Sequence, residues 1–233
     1  MPLPTISTPI YELVVPSTKK KIKYRPFLVK EQKILLIALE SQNDQQILDA
    51  IVQIFKNCVV TPNFKVENLA LFDIEYIFMN MRARSVEEQI SMNVVCPDDG
   101  ETELSITITI DDIKVNFPKG HKKEVKLDDN TLLVMKYPNL DYFAKVNFTA
   151  ENPDPYELVA SCIDKVFVGE DMNDDFTFDE AKEWVETLTN HQFEKIQEFF
   201  NTMPSLKHTI KVKNPKTKVS SDIVIEGLAN FFA

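Results

Sequence analysis

Glycine is scarce in this chain. Only four occur in 233 residues, Gly100, Gly120, Gly169 and Gly227, each isolated from the others. No G-x-G-x-x-G and no G-x-x-x-x-G-K string exists, which excludes the two common phosphate-cradling loops. Arginine is nearly as rare, with Arg25, Arg82 and Arg84 alone, and the net charge is −10. A chain this acidic lacks the concentrated basic face that a phosphate backbone requires, so no nucleic-acid partner is expected. Cysteine is sparse and odd in number (Cys58, Cys96 and Cys162). That argues against a secreted disulfide scaffold and for a reducing compartment. Long apolar runs are missing too. The nearest, "LALFDIEYIFMNM", is broken by Asp73 and Glu75 and falls short of the roughly 20 residues a membrane span needs. The opening "MPLPTISTPIYEL" has no basic region followed by an apolar one, so no signal peptide is expected. The protein is expected to be soluble and cytoplasmic.

What is present is enough for a packed core. Hydrophobic residues make up 44% of the chain. "IYELVVP" (10–16) and "KKIKYRPF" (20–27) alternate as two strands around the polar turn "STK". A helical pattern follows at 29–41. Asn43 is placed to cap a second helix, on which Ile47, Leu48, Ile51, Ile54, Phe55 and Cys58 share a face. A third helix, near 67–84, has an apolar stripe wide enough to predict burial on more than one side.

The period then changes to two. Ile90, Met92, Val94 and Cys96 line up, as do Leu104, Ile106, Ile108 and Ile110, which predicts a hairpin turned at Pro97-Asp98-Asp99-Gly100. Further strands are expected at 123–127 and 131–137. "TAENPDP" (149–155) suggests a boundary. Beyond it the spacing predicts helices at 155–168, 178–188 and 191–201, then a hairpin of "LKHTIKVKN" and "KVSSDIVIEG". The fold class is therefore α+β: antiparallel hairpins with a helical N-terminal portion and a three-helix C-terminal portion. The expected domains are 1–148 and 149–233.

Two stretches resemble ion sites. "CPDDG" (96–100) and "NPKTK" (214–218) occupy equivalent places in the two hairpins. Read as zinc knuckles, they put the ligands at Cys96, Asp99, Asn214 and Thr217. A structural zinc site draws its four ligands mostly from Cys and His, and Asn and Thr are poor ligands, so β-turns are the expected reading. "DMNDDFTFDEAK" (171–182) starts like a calcium loop at Asp171, Asn173 and Asp175. It then has Phe176 where glycine is needed and Lys182 where a bidentate Glu belongs. Thr177 to Glu180 reads instead as a capping box opening the next helix. No G-x-S-x-G and no H-E-x-x-H occurs. Cys58 and Cys162 fall on apolar faces as core thiols, and Trp184, with Ala181 and Leu188, reads as packing. No catalytic residue, metal ligand or cofactor site is expected, and the chain is not expected to be an enzyme.

What remains is surface for other proteins. Sixteen phenylalanines occur, two of them in the closing "GLANFFA". Leu228, Phe231 and Phe232 are candidate apolar anchors for a partner, and Lys211 and Lys213 candidate steering charges.

Three segments together resemble a known family: "YELVVPSTKKKIKYRPFLVKEQKILLIALES" (11–41), "FDIEYIFMNMRARSVEE" (72–88) and "FFNTMPSLKHTIKVKNPKTKVSSDIVIEGLANFF" (199–232). They look like the baseplate hub subunits of T-even-type contractile-tailed bacteriophages, a family that includes a hub subunit and a hub-assembly factor. The most specific pieces are Arg-Pro-Phe-x-Val-Lys-Glu at 25–31, Thr-Met-Pro at 202–204 and Gly-Leu-x-x-Phe-Phe at 227–232. Some members carry cysteines in the two turns; this sequence departs from that at 99, 214 and 217, which puts a metal role in doubt. The resemblance implies a non-enzymatic virion structural protein of the tail baseplate, assembled in host cytoplasm. Its partners would be other hub proteins, with no small-molecule substrate, nucleic acid or membrane. The alternative is a transient assembly chaperone absent from the mature virion.

Overall fold

A computed structural model describes residues 7–86, 89–148 and 154–226. The chain divides into two compact units, residues 1–116 with 205–233, and residues 117–204. The boundary suggested by the sequence at 148–149 lies within the second range.

The first unit opens with β1 (Tyr11–Val14) and β2 (Lys21–Tyr24), an antiparallel hairpin. Alternation explains it: Ile22 and Tyr24 are buried while Lys21 and Lys23 face solvent. α1 (Val29–Glu40) and α2 (Asp44–Cys58) follow. Asn43 caps α2 as expected, its Oδ1 accepting the Gln46 N–H at 2.9 Å. The end of α2 is stitched to β2, since Arg25 N–H donates to the Cys58 carbonyl and Val60 N–H to the Lys23 carbonyl.

At the start of α1 lies a fully buried carboxylate, Glu31. It accepts from Arg25 Nη2 at 2.8 Å, Arg25 Nη1 at 3.1 Å and the Leu28 N–H at 2.9 Å. Burial pushes its pKa up, but the Arg25 and Leu28 hydrogen bonds outweigh burial and hold it below the usual carboxylate value. A charge this deep is tolerated only when it is paired in this way.

α3 (Leu71–Val86) is the centre of the unit. Phe72, Ile74, Ile77, Phe78, Met79 and Met81 point in several directions around the helix, and all are fully buried. The wide stripe in the sequence has this meaning: the helix is surrounded. Phe78 meets Phe27 edge-on at 5.4 Å and Phe55 at 6.3 Å. Each such side chain contributes roughly 1.5–3 kcal/mol by burial. β3 (Gln89–Val95) and β4 (Glu103–Thr109) pair in the register the alternation predicts, with Ile90 opposite Ile108, Met92 opposite Ile106 and Val94 opposite Leu104. β5 (Lys114–Asn116) closes this stretch.

The second unit contains β6 (Glu124–Lys126), β7 (Thr131–Met135), α4 (Leu140–Phe148), α5 (Pro155–Ser161), β8 (Ile163–Val168), β9 (Asp171–Asn173), α6 (Phe178–Glu186) and α7 (Asn190–Thr202). Its four strands form one antiparallel sheet in the order β6-β7-β8-β9. The core joins Leu133, Met135, Cys162, Val166, Ile196 and Phe199, with Trp184 and Leu188 packed against it.

The helix predicted over 155–168 stops at Ser161, and residues 163–168 are strand β8. The apolar spacing of Val159, Cys162, Ile163 and Val166 suits a helix. The β-branched run "IDKVFV" nevertheless finds a long partner in β7, with Val166 opposite Leu133 and Phe167 opposite Leu132. The stretch read as a failed calcium loop is β9 and the cap of α6. Thr177 Oγ1 accepts the Glu180 N–H, and Glu180 Oε2 accepts the Thr177 N–H at 2.7 Å. α7 opens on a second such box, Thr189 with Gln192.

The chain then supplies β10 (Ser205–Lys213) and β11 (Ser220–Glu226) to the first unit, forming a three-stranded sheet in the order β11-β10-β5. The mixture of helices and small antiparallel sheets makes the protein α+β. Among the described residues, no helix is long and apolar enough to cross a membrane.

Candidate functional site at two facing turns

The β3–β4 and β10–β11 hairpins each end in a turn of the same construction. In the first, Gly100 N–H donates to the Cys96 carbonyl at 2.9 Å; in the second, Lys218 N–H donates to the Asn214 carbonyl at 3.0 Å. The closing residue is left-handed in both, with φ 67° at Gly100 and 65° at Lys218. Glycine takes that conformation freely, whereas lysine takes it at a cost. The likeness between "CPDDG" and "NPKTK" is therefore one of backbone geometry as well as of spacing.

The two turns meet. Asn214 is buried, and its Nδ2 donates to Asp99 Oδ2 at 2.8 Å and to both Asp98 oxygens at 3.1 Å. Two N–H groups serve three oxygens, so one of them is shared across the Asp98 carboxylate. The amide oxygen of Asn214 turns inward and accepts Lys216 N–H at 2.8 Å. Thr217 Oγ1 donates to Asp98 Oδ2. Asp99 also accepts from the Glu101 and Thr102 N–H groups and, at 2.6 Å, from the Thr102 hydroxyl. These bonds, led by those from Thr102, hold the Asp99 carboxyl far below the usual carboxylate range.

The four positions that a zinc reading picks out are thus partly brought together, but as a hydrogen-bonded clasp. Both aspartate carboxylates are already accepting hydrogen bonds, and the Asn214 amide turns N–H groups rather than lone pairs toward them. Cys96 is buried, and burial first, then the Asp98 and Asp99 charges, push its thiol pKa up. A thiol of that kind is a poor ligand and a poor nucleophile. Among the described residues, no group of three or more His, Cys, Asp or Glu is placed to hold a metal ion. The sequence reading missed Asp98 and Thr102, although the doubled acid in "CPDDG" was a visible signal.

The other thiols lie apart. Cys58 and Cys162 are buried in different units, and desolvation pushes each up to about 12. In the second unit a cleft of about 410 Å³ lies between α5 and α6, lined among others by Lys136, Tyr142, Glu157, Phe176 and Phe178. Glu157 at its edge is paired with Lys182 at 2.8 Å. Of the hydroxyls on its wall, Thr177 donates to Glu180 Oε2 at 2.9 Å within the α6 cap, and Ser161 donates to the Leu158 carbonyl at 2.8 Å.

Of the candidate partner residues, Lys211 and Lys213 are exposed on β10. Lys211 stands across from Asp222, and Lys207 pairs loosely with Glu226 at 3.9 Å, so this face is less basic than the β10 sequence alone suggests. Leu228, Phe231 and Phe232 lie outside the described residues.

Comparison with known proteins adds one relationship. No curated protein and no solved structure matches the chain. A family model described as T4 bacteriophage base plate protein matches residues 8–233. That match takes in both structural units and nearly the whole sequence, so the chain belongs to the T4 bacteriophage base plate protein family.

Proposed function

We propose that this protein is a non-enzymatic structural subunit of the baseplate hub, taking part in tail assembly through contacts with other hub proteins. The observation that carries the reading is the span of the family match, which runs through both units rather than along one borrowed module. The hub assignment within that family rests on the Arg25–Glu31 string and on the closing Gly-Leu-x-x-Phe-Phe at 227–232. Exposed apolar side chains support a role in association. Val95, Val219 and Val224 lie open on the first unit, and Phe117, Met172 and Phe178 on the second.

In this reading, Leu228, Phe231 and Phe232 are apolar anchors that seat in a neighbouring protein. Lys211 and Lys213 act at the rim, where charge sets encounter rate and orientation more than affinity. The protein works in the virion tail after assembly in host cytoplasm.

Quantitative mass spectrometry of purified particles tests the proposal. A fixed, stoichiometric amount relative to other baseplate proteins is expected. Its absence from particles, with hub proteins still bound to it inside infected cells, would overturn the structural role in favour of a transient assembly chaperone.

A further inference from the structure

α1 is apolar on two opposite sides. Glu31, Leu35 and Ala38 are buried against the rest of the first unit. Turned away from them are Val29, Lys33, Leu36, Ile37 and Glu40, all exposed; Val29 is 82% open and Leu36 and Ile37 are each 54% open. At about 100° per residue these five fall within an arc of roughly 100°. A helix with apolar residues on opposite sides is normally covered on both, and here the described residues cover one side.

The exposed stripe has a symmetry that points to its occupant. Lys33 lies on the N-terminal side of the apolar pair Leu36-Ile37, and Glu40 on the C-terminal side. Neither Lys33 nor Glu40 has an ion-pair partner among the described residues. Reversing the helix about the midpoint between residues 36 and 37 exchanges Lys33 with Glu40 and Leu36 with Ile37. A second copy laid antiparallel therefore sets lysine against glutamate twice and apolar against apolar twice. A parallel copy would set like charge on like. Beside the ridge runs an open groove of about 280 Å³ between α1 and α2, floored by the small residues Ala38 and Ala50 with Ile34 and Ile37 at its side. It offers space for an opposing apolar side chain.

We propose that the exposed face of α1 is a two-fold interface at which a second copy of this chain packs antiparallel, with Lys33 paired to Glu40 of the partner and Leu36 to Ile37. The contact is isologous, so it closes at two copies and does not propagate. One helix pair buries little area, so the dimer is weak, with a dissociation constant of about 10–100 μM. The inference does not depend on the hub assignment, because it concerns the purified chain alone.

Sedimentation equilibrium of the full-length protein from about 1 to 300 μM tests it, a range that brackets the expected constant. The wild type is expected to pass from monomer to dimer and no further. Leu36→Glu is expected to stay monomeric throughout. Lys33→Glu is expected to weaken the dimer about three- to tenfold, as two exposed ion pairs become repulsive, and Lys33→Glu with Glu40→Lys to restore it to within about twofold. Far-UV circular dichroism confirms folding of each variant, and these residues are exposed enough that folding should persist. A monomeric wild type across the range would overturn the proposal. So would a dimer indifferent to Leu36→Glu, a double exchange that fails to restore association, or a face filled only when a different protein is added.

Discussion

Asn214 donates its side-chain amide to Asp99 at 2.8 Å, across 115 residues of sequence. Through this contact and the neighbouring one to Asp98, the tips of two hairpins are held by hydrogen bonds to carboxylates. Such bonds are stronger than neutral ones, and a buried partner left without its mate costs more than the bond itself contributes.

Replacing Asn214 by Ala should therefore destabilise the first unit by about 1–3 kcal/mol. Urea denaturation followed by circular dichroism measures this. Thr217→Val should cost less, since Thr217 is exposed. Asn214→Asp should cost more than Ala, because it places a third carboxylate against Asp98 and Asp99.

Two aspartates should titrate in opposite senses. Asp99 is depressed, so its contribution is present above the ordinary carboxylate value and is lost as pH falls below that value toward its folded pKa. Asp73 is fully buried, and burial raises its pKa despite hydrogen bonds from the Ser17 N–H and hydroxyl. The native state then holds that proton more tightly than the unfolded chain. Stability from Asp73 is fully present below the ordinary value and is lost as pH rises through the raised one. Asp99→Asn should flatten the acid limb of the stability curve, and Asp73→Asn should flatten the limb just above it. Carboxyl titration by NMR should show the two shifts with opposite signs.

The Arg25–Glu31 pair offers a sharper stability test. Glu31 is fully buried and Arg25 nearly so. Glu31→Met leaves the guanidinium without its partner and should cost about 3–5 kcal/mol. Removing both charges together, as Arg25→Met with Glu31→Met, should cost clearly less than the sum of the single changes. Equilibrium denaturation of the four proteins provides the cycle.

The three thiols should be silent in the folded protein. All are buried, and Cys58 and Cys162 are pushed up to about 12, so at pH 8 about one in ten thousand would be thiolate even if reagent could enter. Labelling with a thiol reagent should follow unfolding rather than mixing, and three equivalents should appear only in denaturant.

Much of the architecture could be read directly from residue pattern. Asn43 and Thr177 announce their helices because a cap is a local device that depends on three or four residues. The register of β3 on β4 follows from strict alternation. The stretch from Val159 to Val166 misleads because its apolar positions fit a helix and a strand alike, and no proline or glycine marks the change at Cys162. The decision belongs to β7, a partner that local pattern cannot supply. The two turns show the same limit. Their matching positions are visible in the chain, but that the Asn214 amide satisfies two carboxylates depends on how distant hairpins meet. In α1, "ILLIAL" hides which side is covered, since every position in it is apolar.

A base plate family protein that works through the surfaces it offers to other proteins should be recovered together with them. Affinity purification of the tagged chain from phage-infected cells, wild type beside Phe231→Ala with Phe232→Ala, tests it most directly. The wild type should bring down other baseplate proteins in fixed ratio, and the double variant should lose most of them while remaining folded. Recovery of the tagged protein alone, or of the same partners in the same amounts with both phenylalanines removed, would contradict that role for the surface.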